Sequence, residues 1–154
     1  MDFQYQTSSS AADAAAKRKK AKDGAYLAGG MTLLPALKLG LSEVSDLIDL
    51  GRIGALKGIK AQKTALVIGA MTRHADVAAS AEVKAAIPAL AALAGGIGDA
   101  QVRHRGTIGG SIANNDPAAD YPAACLGLGA TIVTDQREIE ADKFFEGLFE
   151  TALK

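Results

Sequence analysis

The sequence predicts a mixed α+β fold, and three observations predict it. Short β-type runs alternate with helical runs along the chain, and none of the strand candidates is long. Two pairs of adjacent strand candidates are separated by three residues, the spacing of hairpins. With 49% hydrophobic and 22% charged residues among 154, the chain has the composition of about one ordinary globular domain with a packed core.

An extended piece around residues 3–5 opens the chain. Ser10 and Asp13 form a Ser-x-x-Asp start signal, a variant of the capping box, for a helix over residues 11–22. That helix ends in Lys17-Arg18-Lys19-Lys20 and Lys22 with Gly24 just beyond; cations there complement the helix dipole and glycine suits the position after it. It offers only alanines to a core, so weak docking is expected. A strand over residues 25–28 runs into Gly29-Gly30. The helix that follows takes Thr32 as N-cap and carries Pro35 in its first turn, where no backbone donor is missed.

Strands are expected at residues 47–50, 56–60 and 64–70, the last two forming a hairpin over Ala61-Gln62-Lys63. Helical pattern occupies residues 73–79 and 81–86, with Ser80 as the cap between them. Pro88 restarts a helix to residue 94 that Gly95-Gly96 closes. Residues 101–120 are dense in turn formers and mostly without period, which predicts a long functional loop. Pro117 opens a helix through Leu126 with Asp116 as its cap. Residues 131–134 and 138–140 make a second hairpin over Asp135-Gln136-Arg137. The tail, residues 149–154, reads as a truncated end with no closing element.

Composition excludes several function classes. Seventeen Lys+Arg balance seventeen Asp+Glu, so the basic excess that phosphate-backbone binding needs is missing and nucleic acid is not an expected partner. The basic run at residues 17–22 has no interleaved aromatics and reads as helix-end charge. No apolar run reaches the ~20 residues of a membrane span and no leader pattern opens the chain, so a cytoplasmic protein is expected. The single cysteine, Cys125, excludes an internal disulfide, a Cys-only zinc site and an iron–sulfur cluster held by this chain alone. Cys125 falls in the apolar stretch Ala123-Ala124-Cys125-Leu126, where cysteine behaves as a small hydrophobe. His74 and His104 have no metal-ligand spacing, and His104 lies between Arg103 and Arg105. A P-loop and an ordinary Gly-x-Gly-x-x-Gly dinucleotide turn are both absent.

What remains is two glycine-pair turns, Ala28-Gly29-Gly30-Met31-Thr32-Leu33 and Gly106-Thr107-Ile108-Gly109-Gly110-Ser111. Each is expected to expose consecutive backbone N–H groups with no Cβ in the way, an arrangement that binds phosphate oxygens. Thr32, Thr107 and Ser111 add hydroxyls. Two such turns, the second followed by Asn114, Asn115, Asp116 and Asp120, fit a pyrophosphate held from two sides.

The stretch from Ala28 to Pro35 and the longer one from Arg103 through Arg105-Gly-Thr-Ile-Gly-Gly-Ser-Ile-Ala-Asn to Asp116-Pro-Ala-Ala-Asp120 closely resemble the FAD-binding (medium) subunit of molybdenum hydroxylases. That family includes carbon monoxide dehydrogenase and xanthine dehydrogenase and has the PCMH-type flavin fold. The resemblance extends to Phe3 and Tyr5, Leu47-Ile48-Asp49, residues 67–72 and the tail from Phe144 to Leu153, and so spans essentially the whole chain. Two subdomains are implied, residues 1–55 and 56–154, with FAD in the cleft between them. The first turn, Leu27, Ala28, Gly29, Gly30, Met31, Thr32 and Leu33, is implied to hold the pyrophosphate. Thr107, Ile108, Gly109, Gly110 and Ser111 are implied to form the second contact, and Asp120 to bind a flavin-side hydroxyl or phosphate-adjacent group. Ile97 aligns with a position near the flavin and Leu153 with another contact.

The resemblance implies a role as well. Molybdopterin would sit in a large partner subunit and 2Fe-2S clusters in a small one, the three chains forming a dimer of heterotrimers. This chain would take electrons onto FAD and pass them to NAD+, a quinone or oxygen, with no catalytic side chain of its own. Three departures stand out: Ala100 where the family commonly has proline, alanines at residues 11–22 where leucine is usual, and the absence of the family's C-terminal domain from this sequence. The competing reading is a non-redox nucleotide-binding module, or a fragment that no longer holds FAD.

Overall fold

In the computed structural model, which describes residues 2–153, the first third of the chain alternates strand and helix. These elements are β1 (Gln4–Thr7), α1 (Ala11–Lys20), β2 (Gly24–Leu27), α2 (Leu33–Lys38) and β3 (Asp46–Asp49). The three strands form one parallel sheet in the order β1-β3-β2, with Thr7 and Leu27 both in register with Asp49. Central β3 buries Leu47 and Ile48, as a parallel strand covered on both faces must. The expected mixture of helix and strand is thus observed.

Ser10 caps α1 through an Asp13 N–H bond of 3.1 Å, and the Asp13 carboxylate takes the Ser9 N–H and the Lys17 ammonium. The helix stops at Lys20, two residues short of expectation, and Gly24 is the buried first residue of β2 rather than a helix terminator. Nor does the alanine face leave α1 undocked. Ala14 is buried against Ile48 and Ile53, where a small side chain lets the helix lie close to the sheet.

A single 3-10 turn (Gly54–Leu56) leads into the hairpin of β4 (Ile59–Ala61) and β5 (Leu66–Ile68), shorter than predicted but paired as predicted. Next come α3 (His74–Ala79), α4 (Ala81–Ala86) and α5 (Pro88–Gly96). Ser80 caps α4 through Val83 N–H, and Gly95-Gly96 belong to the last turn of α5 instead of lying beyond it. Val77, Val83, Leu90, Ala91, Ala94 and Tyr121 form the main core, with Ile59, Leu66 and Ile68 of the hairpin packed on it.

The long loop expected at residues 101–120 is not there. The segment folds as α6 (Ala100–Arg105), α7 (Ile108–Asn114) and the start of α8 (Asp120–Gly127). Its turn formers are helix ends: Asp99 caps α6, Thr107 caps α7, and Asn115 ends α7 in the left-handed conformation at φ 45°. The Asp116 carboxylate accepts the Ala118 N–H, closing a turn, so α8 begins at Asp120 and not at Pro117.

A hairpin of β6 (Thr131–Val133) and β7 (Glu138–Glu140) follows, then α9 (Ala141–Phe144) and a small hairpin of β8 (Phe145–Gly147) and β9 (Glu150–Thr151). Residues 150–151 of the predicted tail therefore form a strand, packed nearby through Ile139, Phe144 and Ala152. Lys154, the last residue of the predicted tail, lies outside the described residues. Among the described residues, no helix is long and apolar enough to cross a membrane.

Candidate functional site

The two glycine turns, far apart in sequence, meet in space. At the carboxyl end of β2 the Leu27 carbonyl accepts the Leu50 N–H, and the chain leaves the sheet through Ala28 and Gly29. A Cβ on Gly29 would overlap the Arg105 carbonyl oxygen and lie 2.7 Å from Gly106 Cα. On the other side, a Cβ on Gly110 would stand 3.5 Å from the Ala28 Cβ. The turns thus share a wall made of main chain and methyl group, at the carboxyl end of a parallel strand where open α/β sheets bind ligands.

Gly30, at φ +75°, reverses the chain into α2, and its carbonyl accepts the Leu34 N–H at 3.1 Å. Thr32 precedes the helix but makes no side-chain cap, contrary to expectation. An N-cap hydroxyl needs the N–H of the second or third helical residue. Here the second, Leu34, is already bonded to Gly30 and the third is Pro35, which has none.

The second turn is splinted. Residues 70–74 run antiparallel beside it, with a bridge between Arg73 and Thr107. His74 N–H donates to the Gly106 carbonyl (3.0 Å), Ile108 N–H to the Thr72 carbonyl (3.0 Å) and Gly109 N–H to the Ala70 carbonyl (2.8 Å). Thr107 takes the Gly110 N–H on Oγ1 at 3.2 Å and the Ser111 N–H on its carbonyl at 3.0 Å. The N–H groups of residues 108–111 are therefore engaged within the chain, which corrects the expectation that both turns present free donors. The pairing with residues 70–74 and the start of α7 consume them. What this segment presents to the other turn is a glycine surface, at Gly110, and beside it the half-buried Ser111 hydroxyl.

Asp120 opens α8 and is exposed, while its neighbour Tyr121 is fully buried with its ring 5.3 Å from that of His74. The other two predicted residues are held by different contacts. Ile97 ends α5, packs on the main core and gives its carbonyl to the Arg103 guanidinium at 3.1 Å. Leu153 follows β9, exposed, with its N–H on Thr151 Oγ1. The hairpin before it is tied to α7 by Asn115, whose side-chain amide donates to the Gly147 (2.7 Å) and Glu150 (2.8 Å) carbonyls.

Sequence reasoning missed the splint. Ala70, Thr72 and His74 hold the second turn, and the sign for them was a small-residue step, Gly69-Ala70, between a strand and a helix. His74 is buried with Nδ1 unpartnered, and burial pushes its pKa below the ordinary value. Burial also raises the Tyr121 hydroxyl, helped by the charges of Cys125 and Asp120, and raises the Cys125 thiol. A thiol so shifted is no nucleophile at neutral pH. Among the described residues no group of three or more His, Cys, Asp or Glu could hold a metal ion.

Comparison with known proteins identifies the family of the whole chain. A family profile described as "FAD binding domain in molybdopterin dehydrogenase" matches residues 1–154. The carbon monoxide dehydrogenase medium chain of Hydrogenophaga pseudoflava is 41% identical over 157 residues, covering 99% of this chain and 55% of its own length. The glyceraldehyde dehydrogenase medium chain of Sulfolobus acidocaldarius is 40% identical over 129 residues, covering 81% of this chain and 46% of its own. The solved Hydrogenophaga pseudoflava carbon monoxide dehydrogenase, in a form lacking the Mo-pyranopterin moiety, superposes on the whole chain with a TM-score of 0.97. The chain spans about half the length of these relatives. Residues 1–154 belong to the family of FAD-binding domains of molybdopterin dehydrogenases.

Proposed function

We propose that the junction of the two glycine turns holds the pyrophosphate of FAD. The observation that carries this reading is the abutment itself: Gly29 lies on the main chain of residues 105–106 and Gly110 faces Ala28. A side chain at either glycine would fill the seam. The residues fit an elongated dianion there, with N–H groups of residues 29–33 at the start of α2 as donors and glycine surface opposite. In this reading Leu27, Ala28, Gly29, Gly30, Met31, Thr32 and Leu33 line one side. Thr107, Ile108, Gly109, Gly110 and Ser111 line the other, Asp120 accepts from a hydroxyl, and Ile97 and Leu153 make further contacts. Residues 1–55 and 56–154 are the two halves that close on the cofactor.

Bound FAD exchanges electrons singly or in pairs, which suits a relay between one-electron and two-electron carriers. The chain's own part is to bind, orient and shield. We infer that it receives electrons from the iron–sulfur clusters of a small subunit, beside a molybdenum-binding large subunit. It passes them to NAD+, a quinone or oxygen, in a cytoplasmic dimer of heterotrimers. The relatives' names support the complex: they are medium chains of a carbon monoxide and a glyceraldehyde dehydrogenase.

Gly110→Val tests the site. Its branched side chain would enter the seam, where even a Cβ stands 3.0 Å from Thr107 Oγ1. The variant is expected to lose the yellow chromophore on purification while keeping its far-UV circular dichroism. Stoichiometric FAD in that variant would put the site elsewhere. The role is tested by assay: the purified chain alone is expected to oxidise no substrate, and turnover by it alone would overturn the relay.

A further inference from the structure

His74 touches both sides of the second half of the proposed site. Its N–H holds the Gly106 carbonyl, at the entrance to the second glycine turn, at 3.0 Å. Its ring lies so close to Gly106 that an added Cβ would be 2.5 Å from Nε2 and 2.8 Å from Cδ2. The other face of contact is the Tyr121 ring, at 5.3 Å between centroids and tilted by 41°, next in sequence to Asp120. The imidazole is 5% exposed, and Nδ1 has no partner among the described residues. Hydrogen bonding through the ring does not explain the residue; its shape does.

We infer that His74 is a positioning residue for FAD: its ring is the spacer that sets the distance between the turn at residues 106–111 and the start of α8 at Asp120. This rests on the flavin reading above. Gly106 is its complement. The backbone there, at φ −60° and ψ 145°, suits any residue, so glycine is required by what stands against it: the ring first, and the Val102 carbonyl oxygen 3.1 Å from the same point. Closely packed elements pass on a displacement of this size instead of absorbing it, and a binding site loosened by about 1 Å loses affinity.

The test measures FAD dissociation constants by flavin fluorescence in the full chain carrying His74→Ala, His74→Phe, Gly106→Ala and the pair Gly106→Ala with His74→Ala. Expected are losses of about tenfold for His74→Ala and for Gly106→Ala, near wild-type affinity for His74→Phe, and a double variant weakened by less than the product of the singles. Flavin visible circular dichroism should change in His74→Ala and return in His74→Phe, which a merely structural role would not produce. Equal affinity in all four variants, or an affinity in His74→Phe as low as in His74→Ala, would overturn the inference while leaving the flavin reading in place. Wild-type chain that takes up no FAD would overturn both. Should His74→Ala fail to fold, the His74→Phe and Gly106→Ala constants still decide it.

Discussion

Gly29 concentrates the argument at the residue scale, because the atoms it would displace are main chain rather than flexible side chain. Gly29→Ala would drive a Cβ into the Arg105 carbonyl, and Gly106 Cα is 2.7 Å from the same point. The two turns must part, an overpacking cost of roughly 1–3 kcal/mol. Chemical denaturation should show that loss together with weaker FAD binding. Loss of stability with unchanged affinity would mean that the seam does not contact the cofactor.

His74 gives a pH signature at the same scale. Burial lowers its folded pKa below the ordinary 6.5, so the unfolded chain binds the extra proton more readily. The contribution to stability is present above about pH 6.5 and is lost as pH falls through the folded value. Half-buried Asp13 and exposed Glu82 and Glu140, whose pKa values are lowered by bonds to Lys17, Ser80 and Lys143, contribute stability that is lost in a more acid range. Denaturation curves of wild type and His74→Phe between pH 7 and 5 should therefore converge toward the variant's favour as pH falls. Parallel curves would show the imidazole titrating as in the unfolded chain.

Among the elements, the joint between α7 and the β8–β9 hairpin is hydrogen-bonded through Asn115, beside the packing of Ile112 on the cluster of Phe144 and Ala152. Asn115 ends the helix in a left-handed conformation, donates twice to hairpin carbonyls, and accepts the Phe149 N–H on its own carbonyl. Asn115→Gly keeps the conformation and removes the two bonds to the Gly147 and Glu150 carbonyls, a loss of roughly 1–3 kcal/mol. Asn115→Ala loses the same bonds and adds about 1 kcal/mol of backbone strain. Thermal unfolding should rank wild type above Gly and Gly above Ala; Ala as stable as Gly would remove the conformational part of the argument. A simpler element-level check is Ser80→Ala, which deletes the cap on Val83 N–H and should cost about 1 kcal/mol.

For the whole molecule, ligand linkage is the direct measure of the proposed function. FAD that binds only the folded chain stabilises it by about 2.7 kcal/mol at a hundred times its dissociation constant, which at this size raises Tm by roughly 5–10 °C. Differential scanning fluorimetry with and without FAD would show it, and Gly110→Val should erase it. An unchanged Tm across that range would count against FAD as the ligand.

Local chemistry in the sequence determined much of this protein. Ser10-x-x-Asp13 and Ser80 as caps, Pro88 at a helix start and the two hairpins each act through neighbours a few residues away, so they could be read from the chain alone. Residues 101–120 misled for a related reason: turn formers signal an end of structure without saying whether a loop or the next helix follows. Other features were decided only by tertiary structure. The N–H groups of Ile108 and Gly109 in the second turn lost their freedom because residues 70–74 paired with it. Gly29 proved necessary because residues 105–106 lie on it, and His74 because Gly106 and Tyr121 close around its ring. Those are contacts between segments distant in sequence, and no local pattern encodes what a residue will meet when the chain folds back.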